Sequence, residues 1–289
     1  MSGLDMVAIG RDGVRRIGFN APGGPGLELE VLARGELCRR DEASLGEPHR
    51  TEFHQLMLVD AGQTWHEVDF VEHLLGPATV LWVRPGQVQR FGPPVTGEMV
   101  LFTHGVPASS SSELALPLGD VRGGPVWHPE AGVYPGIREM ARQLRLEAGC
   151  PSASADATRR HLLSVLLLRI ARTATAGPAS GDADGIASRF AAEVERDFAR
   201  THRVADYADR LGYSVRTLTR ASTAATGLSA REVLDDRIAL EAKRLLAYTD
   251  LAASAVGRRL GFSEPTNFGK FFLRRTGLTP AAFRRTLTR

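Results

Sequence analysis

Arg216, Thr219 and Arg220 stand at i, i+3 and i+4, a spacing that puts three polar side chains on one face of a helix. Thr266, Asn267 and Lys270 form a second such set. The chemistry these types share is base reading. Arginine holds guanine O6 and N7 together, asparagine does the same for adenine, and threonine offers a hydroxyl or a methyl. Any one of them alone is equally a solvated helix face. Their placement in a repeat decides between the two readings. Leu211-Gly212-Tyr213-Ser214 returns as Leu260-Gly261-Phe262-Ser263, and Thr226-Gly227-Leu228-Ser229 returns as Thr276-Gly277-Leu278-Thr279. Each copy reads as helix, glycine turn, serine cap and second helix. This is a helix-turn-helix, whose DNA-binding form lays the second helix in a major groove.

The elements that must position these residues follow from the pattern. In the first copy, 204–211 is the supporting helix, Gly212 the turn, Ser214 the N-cap, and 214–224 the reading helix with Leu218 turned inward. In the second, Gly261 turns and Ser263 caps. Pro265 opens the helix, where its missing N–H costs nothing, and Phe268, Phe271 and Phe272 face the core. Arg258 and Arg259 precede the second turn, which places Arg259 for phosphate rather than bases. A connecting helix spans 230–247, with Val233, Leu234, Ile238, Leu245 and Leu246 inward and Asp235, Asp236, Arg237, Glu241 and Arg244 in water.

Charge divides the chain in the same place. Residues 186–289 carry 19 Lys and Arg against 11 Asp and Glu, whereas the remainder is net acidic and the whole chain is only +3. A basic C-terminal module on an acidic N-terminal one suits polyanion binding by one half alone. The chain shows no signal peptide and no stretch able to span a bilayer, so a cytoplasmic location is expected. Cys38 and Cys150 are expected to be free thiols. No nucleophile–base set stands out, and Gly23-Gly24-Pro25-Gly26 lacks the Lys-Ser/Thr of a phosphate loop.

The N-terminal part reads as short strands. Residues 1–30 are rich in Gly and Pro and read as loosely ordered. From 29 to 118, apolar runs such as Leu56-Met57-Leu58-Val59 and Val80-Leu81-Trp82-Val83 alternate with turn dipeptides Ala61-Gly62 and Pro85-Gly86, as in a small antiparallel sandwich or barrel. Helices are expected at 136–147 and 155–173, the second with an apolar face of Leu162, Leu163, Leu166, Leu167 and Ile170. Residues 175–185 read as a linker.

The stretch 203–285 resembles the AraC/XylS family of bacterial transcription regulators. It carries both turns, Arg237, Leu245-Leu246 and the ending Gly277-Leu278-Thr279-Pro280-Ala281-Ala282-Phe283-Arg284. The resemblance implies a seven-helix domain whose two recognition helices enter adjacent major grooves. It assigns DNA contact to Arg216, Thr219, Arg220, Pro265, Thr266, Asn267 and Lys270. Ser222 departs from the bulky residue the family often has there, which is expected to loosen the first core. Residues 48–91 resemble the cupin-type sensing domain of the same family, above all in Arg84-Pro85-Gly86-Gln87-Val88-Gln89-Arg90-Phe91.

The fold class implied is α+β. A cupin-like barrel occupies 1–118, a helical dimerisation region 119–174, a linker 175–185, and a double helix-turn-helix domain 186–289. Gln89 and Thr51 stand where metal-binding relatives carry histidine, so no metal and no cofactor are expected. His49, His54, Gln89 and Arg90 are the candidate effector anchors, with Phe53 and Trp65 packing on a flat ligand such as an aromatic or organic acid. Period-2 alternation forbids Phe53 and His54 from both facing the pocket. The implied function is a ligand-responsive, non-enzymatic regulator that binds operator DNA as a homodimer and works with RNA polymerase, with no membrane role. The alternatives are a metal-dependent cupin enzyme fused to a DNA-targeting domain, or a DNA binder whose N-terminal domain only dimerises.

Overall fold

The computed structural model describes residues 15–19, 28–36, 46–103, 105–108, 124–148, 152–174 and 181–287. Cys38, Cys150, the 23–26 loop, the 118/119 boundary and residues 175–180 lie outside them. The described residues fall into two units, one ending with Ala174 and one beginning with Gly181.

The first unit is two five-stranded sheets face to face. Sheet one runs β1 (Arg15–Ile17), β3 (His49–Thr51), β8 (Val88–Phe91), β5 (Thr64–Val68), β6 (Val71–Leu75). Sheet two runs β10 (Val126–Trp127), β7 (Thr79–Val83), β4 (His54–Ala61), β9 (Thr96–Phe102), β2 (Leu29–Ala33). All pairings are antiparallel except β1 with β3. The segment 1–30 is therefore not uniformly loose. Residues 15–17 gain backbone partners from β3, a long-range pairing that local composition does not encode.

The two sheets differ in a way their sequences explain. β5 alternates buried and half-exposed positions, because only one face of sheet one is covered. β7 is buried at every position, as its unbroken Val-Leu-Trp-Val run requires. Its second cover comes from α2 (Tyr134–Glu147), packed on β2, and α3 (Ala153–Ala174), packed on β10 and on α2; a short α1 (Gly105–Ala108) also meets α3. The Tyr134 hydroxyl donates to the Val59 carbonyl at 2.7 Å, and Arg138 pairs with Asp60 at 2.8 Å, fixing α2 to the end of β4. Between the sheets lies a core that includes Phe53, Met57, Val59, Leu81, Val83, Met99 and Leu101.

The second unit is helical: α4 (Gly181–Asp197), α5 (Val204–Leu211), α6 (Val215–Thr226), α7 (Ala230–Tyr248), α8 (Ala253–Arg259), α9 (Pro265–Thr276) and α10 (Pro280–Leu287). Helix α4 begins at Gly181, so the back half of the expected linker is helical.

Helix α7 starts at a capping box of Ser229 and Glu232 and runs through two cores. Leu234 and Ile238 join Phe190, Tyr207 and Leu218 in the first; Ala242, Leu245 and Leu246 join Val256, Phe268 and Phe272 in the second. Partners on several sides leave α7 little wet face. The expectation that Asp235, Glu241 and Arg244 face water is corrected: all three are buried. They are neutralised in place, Asp235 by Arg231 at 3.0 Å, and Glu241 and Arg244 by each other at 3.0 Å. Among the described residues, no helix is long and apolar enough to cross a membrane.

Candidate DNA interface and effector site

Both recognition helices are oriented by what they bury. Gly212 adopts φ 71° and Gly261 φ 84°, left-handed conformations that end the supporting helices and start the turns. Ser214 caps α6, its hydroxyl accepting from the Thr217 N–H at 3.0 Å. The cap of α9 is Glu264 rather than Ser263, and Glu264 makes no side-chain cap bond. Pro265 at the first helical position removes one donor that a cap would have had to satisfy. This is where the extra residue of the second copy goes. From the caps onward the two helices correspond at a constant offset, 214 with 264 and the closing glycines 227 with 277.

In that alignment Leu218 matches Phe268, Arg216 matches Thr266, and Arg220 matches Lys270. Leu218, Phe268 and Phe272 are buried, which turns Arg216, Arg220, Thr266, Asn267 and Lys270 outward; Pro265 is exposed and Thr219 half-buried. Ser222 occupies the place of Phe272. It is 1 % exposed, and its hydroxyl has no hydrogen-bond partner. The hydroxyl is buried without a partner at the place where the second motif packs the Phe272 ring.

Electrostatics separates the outward cations from the rest. Arg210, Arg237 and Arg275 are held by Asp197, Glu195 and Asp236. Among the described residues, no ion pair or hydrogen bond engages the side chains of Arg216, Arg220, Asn267 or Lys270. Arg258 and Arg259 are exposed at the end of α8.

The second motif is locked in a way the sequence did not reveal. His202, in the loop after α4, donates from Nε2 to the Leu260 carbonyl at 2.7 Å, and its ring packs on Phe262 at 4.6 Å. Burial lowers its pKa, which keeps the ring neutral. The backbone of the same loop passes over Gly261, where a Cβ would overlap the Ala199 carbonyl. Gly257 leaves a similarly tight seat, its missing Cβ falling 2.9 Å from that of Phe268.

In the first unit, a polar cluster sits inside the sandwich. Gln55 and Gln89 exchange amide hydrogen bonds of 3.0 and 3.3 Å, and His66 Nε2 donates to Gln89 Oε1 at 3.0 Å. His49 lies opposite Gln89 across the β3–β8 ladder and stacks on Phe91 at 5.7 Å; its Nδ1 donates to the Glu47 carbonyl at 3.0 Å. The Arg34 guanidinium lies over the other part of this wall, 4.4 Å from the Phe91 ring centre. Gln55, His66 and Arg34 share this interior and are not among the residues expected there. Alternation outward from Gln89 could have found His66, since its cross-strand partner Phe91 shares the Gln89 face.

Four expected anchors are elsewhere. His54 faces the opposite side of sheet two, accepting from Trp82 Nε1 at 3.1 Å and stacking on Phe102 at 4.8 Å. Phe53 is part of the packed core. Trp65 and Arg90 lie on the outer face of sheet one, Arg90 over the Trp65 ring at 4.7 Å and paired with Glu67 at 2.7 Å. For His54, Trp65 and Arg90 the cause is the strand period, since neighbours of interior residues point out; Phe53 faces inward and is taken up by core packing. Among the described residues, no group of three His, Cys, Asp or Glu is placed to hold a metal.

Burial drives the His66 pKa down from 6.5 to about 3, against the hydrogen bond that the ring donates to Gln89. The unfolded chain takes up this proton below about pH 6.5 and the folded barrel does not until about pH 3. The stabilisation is therefore complete above 6.5 and is lost as pH falls, by up to about 1.4 kcal/mol per unit. Urea unfolding of the first unit, followed by tryptophan emission, should show it weaker at pH 5.5 than at pH 7. His66→Gln should flatten that dependence; equal slopes in the two proteins would show that another group carries it.

Residues 36–171 match the family described as AraC-like ligand binding domain, and residues 207–286 match a helix-turn-helix domain. The transcriptional activator RhaR of Enterobacter sp. (strain 638) is 25% identical over 167 residues, 57% of this chain and 59% of that one. RhaS of Escherichia coli O9:H4 (strain HS) is 25% identical over 158 residues, 55% and 56% of the two chains. The chain thus spans just under three-fifths of the length of these relatives. Among solved structures, ToxT from Vibrio cholerae O395 aligns over 91% of this chain and 95% of its own, at 13% identity and a TM-score of 0.41.

Proposed function

This chain belongs to the AraC family of transcription regulators, joining a ligand-binding domain to a helix-turn-helix domain, and from that premise we propose how it works. Helices α6 and α9 read two successive major grooves of one duplex, and the interior cluster of the barrel holds a small polar effector. The role involves no chemical step on the effector, and RNA polymerase is the proposed partner at the promoter. The observation that carries the reading is the set of outward, unengaged Arg216, Arg220, Asn267 and Lys270, on helices whose neighbouring arginines are already neutralised. Selection from random duplex DNA by the full chain should enrich two blocks about one helical turn apart. Enrichment of a single block, or of none, would count against the paired reading.

For the effector, Gln89 is the informative position, because it bonds both Gln55 and His66. Gln89→Ala should leave affinity for the selected duplex intact and abolish its modulation by an extract of the producing cells. A variant that responds like the parent would remove Gln89 from the site.

A homodimer is proposed through the outer side of α3, within the expected dimerisation region. Leu163, Leu166, Leu167 and Ile170 are fully buried, as are Ile137, Ala141 and Leu144 of α2. Most of that face is used within the subunit, and Leu162 is half-exposed at its edge. Among the described residues, the large apolar side chains of α3 most open to water are Val165 and Leu168, one turn apart. Val165→Glu with Leu168→Glu should shift a sedimenting dimer to monomer at micromolar concentration, and an unchanged mass excludes this surface.

A further inference from the structure

We propose that the first unit carries a second small-molecule site, for an anion, in the pocket between the segment after β10 and the C-terminal end of α3. The pocket has a volume of about 380 Å³ and is lined by His128, Glu130, Arg169, Arg172 and Thr173. That volume is within the usual range of small-ligand sites. Three of these groups are cationic or able to become so, against one carboxylate. None of them belongs to the barrel interior, so the site is separate from the effector cluster proposed above.

The seat of Arg169 is built into the fold. Its guanidinium lies directly on the open face of Gly136, in the first turns of α2, where any Cβ would collide with it. Among the described residues, Arg169 makes no ion pair or hydrogen bond, unlike Arg138, Arg142 and Arg145 of α2, which are paired with Asp60, Glu139 and Glu98. A planar guanidinium held beside a second arginine and an imidazole suits bidentate recognition of a phosphate or carboxylate. Arg172 and Thr173 belong to the last turn of α3, which ends at Ala174. An anion bound there would stiffen the turn from which the chain leaves the first unit.

The basic second unit also attracts anions, so the test needs a signal confined to the first. The chain has three tryptophans, Trp65, Trp82 and Trp127, all in the first unit, and Trp127 adjoins His128. Full-length protein would be titrated with inorganic phosphate and, separately, with succinate, against sodium chloride at matched ionic strength. The expected result is a saturable change in emission with at least one anion, absent in Trp127→Phe. The anion that acts identifies the head group as phosphate or carboxylate. Arg169→Gln with Arg172→Gln should weaken binding at least tenfold. Gly136→Ala, which keeps every charge, should weaken it to a smaller extent by shifting the Arg169 guanidinium from this seat. A response matched by chloride, or the same affinity in the parent and both variants, overturns the proposal without bearing on the barrel or the DNA reading.

Discussion

Gly261→Ala is expected to destabilise the second unit by about 3 kcal/mol, whereas Gly212→Ala, the same change in the matching turn, should cost about 1–2 kcal/mol. Both glycines have positive φ, 84° and 71°, so both substitutions carry the left-handed strain of an L-residue. They differ in what surrounds them. A Cβ at position 212 meets nothing within 4 Å. A Cβ at 261 overlaps the Ala199 carbonyl, a backbone atom that cannot swing aside alone. Moving it disturbs the loop whose His202 holds the Leu260 carbonyl at 2.7 Å, adding the loss of a half-buried hydrogen bond worth about 1 kcal/mol. Urea unfolding followed by far-ultraviolet dichroism would compare the two variants. Tryptophan emission, which reports the first unit alone, should not move in either. Equal losses at 212 and 261 would mean that the Ala199 contact carries no energy.

The second large effect separates reading from gripping. Arg216→Ala or Arg220→Ala should cost about 1–3 kcal/mol on the preferred duplex and relax selectivity at one base pair, as loss of a bidentate guanine contact does. Asn267→Ala and Lys270→Ala should act equivalently in the other block. Arg259→Ala should weaken all sequences alike and reduce the slope of log affinity on log salt by about 1, the signature of a phosphate contact. The structural basis is rotation. Leu218 and Phe268 bury one side of each helix and turn the opposite side out, while Arg259 ends the supporting helix α8. Binding titrations on preferred and scrambled duplexes at several salt concentrations would decide. Equal losses on both duplexes for Arg216→Ala and Arg220→Ala would remove α6 from base reading, whatever the fold.

The barrel anchors show where sequence reasoning stops. Gln89 and His49 were found from their positions in a resembled motif, and both lie inside the sandwich. Arg90 and Trp65 were included beside them, yet each is one strand residue out of phase with the interior and pairs on the outer face. Type suggested polar and aromatic anchors; facing depends on which sheet neighbour covers which side, and that is a non-local fact. His54 is the clearest case. Sheet two is buried on both faces, so burial alone does not mean interior, and His54 is satisfied by Trp82 beneath the helices.

What the sequence determined by itself is local: two copies of a turn, helix periods that choose inward and outward faces, glycine at left-handed positions, and the apolar runs of doubly covered strands. These depend on spacing and backbone sterics over a few residues, and they anticipated α5 to α9 and the outward side of α6 and α9. Only the tertiary structure decided the pairing of β1 with β3, the burial of Asp235, Glu241 and Arg244 along α7, the lock of His202 and Ala199 on the second turn, and the seat of Arg169 over Gly136. Each of these joins residues distant in the chain. Their energies come from packing and desolvation between elements, and no window of sequence contains both partners.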